Sequence, residues 1–168
     1  MSEDSEPGDC SCQDLGDVGG HCGEASRYHR KPKGETQLPA GYVAEVVYID
    51  GACQVSTGCG GVAILPVQGN LVGGVYAKHY CNTTSQRMEI QALIHALEYG
   101  AKLVITDSQY VVGGFSGEWR LKANIDLWGE VFDLSYGVEV RYQPRNSDRF
   151  QKIVDTAAKR ASLGLNIT

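Results

Sequence analysis

Three carboxylates of this chain fall beside apolar segments, and their placement restricts the fold more than any other feature. Residues 43–50 are rich in β-branched and aromatic side chains and predict a strand that ends in Asp50-Gly51. Leu103-Val104-Ile105-Thr106 predicts a second strand, ended by Asp107. Between them, Ile90, Leu93, Ile94 and Leu97 recur at helical spacing, with Glu89 at the rim of that stripe. An acid at the mouth of a buried strand is costly without a partner, and a metal cation is a strong one. Each acid also has a plainer reading. Asp107 could cap the helix it precedes, Asp50 could open a turn, and Glu89 could be a first-turn acid favoured by the helix dipole.

The other elements follow from periodicity and punctuation. Gly58-Cys59-Gly60-Gly61 leads into a strand over residues 62–65, Pro66 to Asn70 predict a turn, and residues 71–80 predict a third strand. Thr83-Thr84-Ser85 offers an N-cap for a helix running to about Tyr99, with Gly100 as its stop. A fourth strand covers 102–106, a short helix runs from Ser108 to Gly113-Gly114, and another opens at Asn124 and reaches about Ser135. Residues 138–142 predict the fifth strand. Ser147 or Asp148 caps a last helix with the stripe Phe150, Ile153, Val154, Ala157 and Ala161. Three strands in succession predict an antiparallel meander, and the later β-α-β units predict parallel strands added beside the first. The fold class is α/β.

Length suits one domain with an appendage, divided as 1–41 and 42–168. No apolar run is long enough for a membrane span, and the acidic N-terminus has no apolar segment of the secretory kind. A cytoplasmic setting is expected, where six cysteines serve as thiols or metal ligands rather than disulfides. Within the extension, Cys10, Cys12, His21 and Cys22 could hold a structural zinc ion, with His29 as a further ligand; solvated thiols in a loose tail are the plainer reading. The run Arg27-Tyr28-His29-Arg30-Lys31-Pro32-Lys33 reads as a solvated linker that could touch phosphates. Net charge is −5, but residues 1–40 carry −4 of it. The rest is nearly neutral, which points to modest affinity for any nucleic acid.

The order strand-Asp, helix-Glu, strand-Asp resembles the type 1 ribonuclease H family. So do the local words Asp50-Gly51-Ala52, Arg87-Met88-Glu89 and Thr106-Asp107-Ser108-Gln109-Tyr110. The resemblance covers about residues 43–163 and implies a mixed five-stranded sheet flanked by helices. It implies a fourth acid, Asp155, beside the apolar stripe of the last helix. It also implies a metal-dependent endonuclease that cuts the RNA strand of RNA–DNA hybrids and leaves 5′-phosphates. Phosphodiester hydrolysis of this kind uses two divalent ions, Mg²⁺ with Mn²⁺ as substitute, and these need hard carboxylate oxygens. By resemblance, Asp50 and Asp107 are central metal ligands, Glu89 holds one ion and Asp155 the other. Gly51, Ala52, Cys53, Ser85, Gln86 and Gln109 fall where the family contacts RNA.

Two departures stand out. Residues 114–123 are short where many members carry a basic, Trp-rich protrusion, and Trp119 is expected to pack rather than stack. The loop from Gln143 to Arg149 lacks the histidine often found there, so Arg145 or Arg149 is expected to bind the leaving phosphate. Cys53, Cys59 and Cys81 lack paired spacing and are expected as buried small residues, with His79 and His95 at the surface or in the core. A monomer is expected. Two other readings stay open: a related nuclease with another nucleic-acid substrate, and a slow or non-catalytic binding domain. Retention of four acids argues against a pure binder.

Overall fold

The structure, a computed structural model, describes residues 27–30 and 36–166. The strands are β1 (Arg27–Arg30), β2 (Thr36–Gln37), β3 (Val46–Gln54), β4 (Cys59–Gln68), β5 (Leu71–Val72), β6 (Val75–Tyr80), β7 (Leu103–Thr106) and β8 (Glu139–Tyr142). The helices are α1 (Ser85–Tyr99), α2 (Gln109–Ser116), α3 (Ile125–Leu134) and α4 (Arg149–Ser162). They form one mixed sheet in the order β1-β6-β4-β3-β7-β8, with β2 and β5 paired beside β4. β4 pairs antiparallel with β3 and β6, whereas β7 adds parallel to β3 and β8 parallel to β7. The expected mixed sheet is therefore present, extended by short additions.

Alternation along the strands divides the core in two. Val47, Ile49, Val62, Ile64 and Val104 face α1, α2 and α3. Tyr48, Ala63, Leu65 and Ile105 face α4, through Val154, Ala157, Ala158 and Ala161. Each fully buried Val, Leu or Ile contributes roughly 1.5–3 kcal/mol, so both layers are held by many side chains and by no single one. Thr84 caps α1 by accepting from the Arg87 N–H at 3.1 Å, and Gly100 ends it. Asp148, not Ser147, caps α4: its carboxylate accepts from the Gln151 N–H at 2.9 Å and from the Tyr48 hydroxyl at 2.7 Å.

The first strand begins and ends later than its sequence pattern predicts. It continues through Asp50 and Gly51 to Gln54, paired with Cys59-Gly60-Gly61 of β4. The glycines weaken the apolar pattern there, yet they allow the helices on both faces to approach. Pro66 lies inside β4 rather than in a turn, opposite Val47. Proline removes a donor and keeps its acceptor, and the Pro66 carbonyl accepts from the Gly73 N–H at 2.9 Å. The third strand is split at Gly73-Gly74 into β5 and β6. The run expected as a linker contributes Arg27–Arg30 as a strand along β6. Among the described residues, no helix is long and apolar enough to cross a membrane.

Candidate active site

The pairing of β3 with β7 ends at Tyr48 and Ile105. Two residues further on each strand stand Asp50 and Asp107. Neighbouring parallel strands thus deliver two carboxylates side by side, just past their last paired residues, where open α/β sheets place ligands. Glu89 comes from α1, which Gly51 admits to close range: a Cβ there would stand 2.5 Å from the Met88 carbonyl carbon. The result is a cluster in which ligand oxygens of Asp50, Glu89 and Asp107 all lie within 4.8 Å of one another.

Asp155 comes from α4 on the other face and meets Asp50, which shares the Tyr48 face of β3. Its Oδ2 lies 3.0 Å from Lys159 Nζ, one helical turn on. Its Oδ1 is buried and makes no hydrogen bond. Arg145 reaches across the mouth: its Nε stands 3.4 Å from Asp107 Oδ2 and its Nη2 3.9 Å from Asp155 Oδ1.

Electrostatics follow from this crowding. Burial, then the Asp107 charge and the neighbouring Asp155 carboxyl, push Asp50 up to about 8. Burial also raises Glu89, opposed by a hydrogen bond from Ser108 and the charge of Arg145. The guanidinium of Arg145 is raised by Asp155, and less so by Asp107 and Asp50. The metal-free cluster therefore retains a proton at neutral pH. Hard oxygen donors, negative charge in excess of its counter-ions and a buried Asp155 oxygen that makes no hydrogen bond all suit a divalent cation of the Mg²⁺ or Mn²⁺ type.

The plainer readings of these acids fail on geometry. Asp107 is not the cap of α2, because Ser108 Oγ accepts from the Val111 N–H at 3.2 Å. Asp50 lies within β3 and opens no turn. Glu89 lies beyond the first turn of α1, which holds no acid.

Gly51, Ala52 and Cys53 continue β3 away from Asp50 and are half-buried; Ser85, Gln86 and Gln109 are exposed at the starts of α1 and α2. The two loop arginines separate. Arg145 touches the acids, whereas Arg149 lies over the Phe150 ring, 4.4 Å from its centre. Ser108 is the residue that sequence reasoning took only as a helix start; its place directly after Asp107 is the one signal for its contact with Glu89. Trp119 packs on Gly113, as a Cβ there would stand 2.5 Å from the indole. Cys53 and Cys81 are half-buried free thiols rather than core residues. Cys59 is buried as expected, but it is disulfide-bonded, which corrects the expectation that the cysteines form no disulfide. Cys10, Cys12, His21 and Cys22 lie outside the described residues.

A sequence model of the RNase H family matches residues 43–144, more than half of the chain and the segment that carries Asp50, Glu89 and Asp107. The chain belongs to the RNase H family. Its activity is accordingly that of a ribonuclease H-type nuclease. A ribonuclease H of Caldicellulosiruptor saccharolyticus is 31% identical over 136 residues, covering 68% of this chain and 92% of that protein. One of Thiobacillus denitrificans is 43% identical over 115 residues, covering 55% and 74%. Among solved structures, RNase H1 of the halophilic archaeon Halobacterium salinarum NRC-1 superposes with a TM-score of 0.60 at 25% identity, covering 69% of this chain and 95% of that one.

Proposed function

We propose that this RNase H-family protein is an endonuclease that hydrolyses the RNA strand of RNA–DNA hybrids and leaves 5′-phosphate and 3′-hydroxyl ends. The observation that carries the reading is the convergence of Asp50, Glu89 and Asp107 within 4.8 Å, with Arg145 across the mouth. Asp50, Glu89, Asp107 and Asp155 would hold two divalent ions, Mg²⁺ by preference, with Mn²⁺ as a substitute. When bound, such ions supply an activated water and offset charge on the attacked and departing oxygens.

The chain's own residues do the rest. Asp50 would hold a cation as the deprotonated carboxylate, beside Asp107 and Asp155. The Ser108 hydroxyl fixes the Glu89 carboxylate, and Lys159 holds Asp155 in place. Residues 51–53, Ser85, Gln86 and Gln109 form a rim of backbone and amide groups suited to the ribose 2′-hydroxyls of the minor groove, which distinguish RNA from DNA. Arg145, at the mouth beside Asp107 and Asp155, is placed to bind the departing phosphate. Residues 42–168 form the catalytic unit.

The test is cleavage of end-labelled hybrid, beside double-stranded RNA, double-stranded DNA and single strands, with Mg²⁺ or Mn²⁺. Cutting confined to the hybrid's RNA strand and lost in Asp107→Asn supports the proposal. An intact hybrid under both metals shifts the reading to a non-catalytic binding domain.

A further inference from the structure

The Arg145 side chain is 63% exposed, so its place over the acids depends on the loop that carries it. That loop is anchored at both ends. The Gln143 N–H donates to the Thr106 carbonyl at 2.9 Å, one residue before Asp107. The Ser147 N–H closes a turn on the Pro144 carbonyl at 3.2 Å. Asn146 supplies the left-handed backbone of that turn, with φ 62°, a conformation asparagine tolerates. Arg145 stands inside the turn, between Gln143 and Asp148.

Asp148 joins the two ends. Its Oδ1 accepts from the Gln151 N–H at 2.9 Å and so caps α4. Its Oδ2 accepts from the Tyr48 hydroxyl at 2.7 Å and from the Gln143 side-chain amide at 2.9 Å. The same amide nitrogen lies 2.5 Å from Ser147 Oγ. The opposite amide orientation would set a carbonyl oxygen against a carboxylate, so the nitrogen faces Asp148. Burial pushes Asp148 up, but the bonds from Gln151, Tyr48 and Gln143 outweigh it and hold the carboxyl below its ordinary value. Tyr48 lies two residues before Asp50 on β3, and α4 carries Asp155. The elements that bear Asp50, Arg145 and Asp155 thus meet on one carboxylate. Capping α4 needs only one oxygen, and a serine could supply it. The second oxygen serves the loop.

We propose that Asp148 is a positioning residue for cleavage: through Oδ2 and the Gln143 amide it fixes the turn that holds Arg145 against the acids. This rests on the reading of Arg145 as the group that binds the departing phosphate. A long, exposed side chain on a loose turn spreads over many rotamers, and its contribution to turnover falls with the time spent away from the site. Arg145 acts where the leaving group departs, so a lost restraint lowers kcat rather than raising KM.

The test uses the full chain. Asp148→Ser keeps an oxygen for the cap of α4 but is too short to reach Tyr48 and Gln143 as well. Gln143→Met removes the amide and keeps its length. Each should lower kcat on labelled hybrid about tenfold, with KM little changed. In an Arg145→Ala background the same substitutions should cause no further loss, which a general weakening of the fold would not produce. Urea midpoints confirm that each variant is folded. In the metal-free chain, the Arg145 Nε–H NMR signal, assigned by its loss in Arg145→Ala, should be distinct and rigid. It should collapse onto the averaged signals of exposed arginines in both variants.

Undiminished kcat in both variants, where Arg145→Ala is slow, overturns this proposal alone. Losses that add to that of Arg145→Ala overturn it too, as does a rigid Arg145 signal in both variants whatever the rates. Full turnover in Arg145→Ala overturns the reading of Arg145 and this proposal with it. If Asp148→Ser fails to fold, Gln143→Met, which lies outside α4, decides.

Discussion

A Cβ on Gly51 would stand 2.7 Å from the backbone nitrogen of Glu89. The absence of a side chain at this one position lets α1 close on β3, and through that contact Glu89 meets Asp50. Gly51→Ala should move the helix, weaken the fold by about 1–3 kcal/mol and lower hybrid cleavage well beyond what that loss explains. Urea unfolding beside cleavage of the labelled hybrid checks it. Activity in proportion to the folded fraction would mean the contact is structural alone.

Asp50→Asn and Asp107→Asn should each lower cleavage by at least ~100-fold, because even partners one step removed from a metal are worth 10–100-fold. The same changes should leave the metal-free protein as stable as before or more so, since Asp107→Asn removes a like charge from a crowded site and Asp50→Asn removes a buried carboxyl that must otherwise stay protonated. Thermal melts in chelator separate the two effects. A variant that loses activity and stability together contradicts the metal-ligand reading.

The two loop arginines should behave differently. Arg145→Ala removes the guanidinium that spans Asp107 and Asp155, and turnover should fall about 10- to 100-fold, the range of a charge-assisted contact. Arg149→Ala removes a group stacked on Phe150 and should leave turnover nearly unchanged. Steady-state rates for the pair decide whether Arg145 acts on phosphate.

The pH dependence of the metal-free protein follows from Asp50. Its folded value, about 8, lies above the ordinary 3.8, so between these limits the folded state keeps a proton that the unfolded chain has released. Stability of the chelated protein should therefore fall as pH rises through that window and level off above it. Asp50→Asn should flatten the profile. Added Mg²⁺ should raise the melting temperature most at the alkaline end, where the carboxylate is vacant for a cation. A melting temperature that rises with pH in chelator would refute this assignment of the proton.

Much of the site was legible because its acids interrupt strong apolar patterns. Leu103-Val104-Ile105-Thr106 before Asp107 and the stripe beside Glu89 fix strand and helix with little ambiguity. The later strands, caps and parallel additions followed from the same periodicity. Sequence was less informative where glycine replaces pattern. Gly58 to Gly61 reads as a lead-in to a strand, yet Cys59, Gly60 and Gly61 are already strand, held by pairing with Ala52 to Gln54 rather than by propensity. Pro66 misled in the opposite direction, since only its carbonyl is needed at that place in the ladder. Cys59 and Cys81 are brought together by register across β4 and β6, a relationship that spacing along one chain does not display. Arg145 and Arg149 look equivalent in the loop until the start of α4 turns one toward the acids and the other onto Phe150.

The strand Arg27–Arg30 covers the outer side of β6. Without it, Val75–Tyr80 would present a row of unpaired amides and carbonyls to solvent, a template on which a second chain can add a strand. The short N-terminal strand thus acts as a guard against edge-to-edge self-association, and its sequence, Arg-Tyr-His-Arg, carries a charge at each end. Trimming the chain to the segment that carries the catalytic acids would expose that edge, and the shortened protein would be prone to aggregate at concentrations where the full chain stays dispersed.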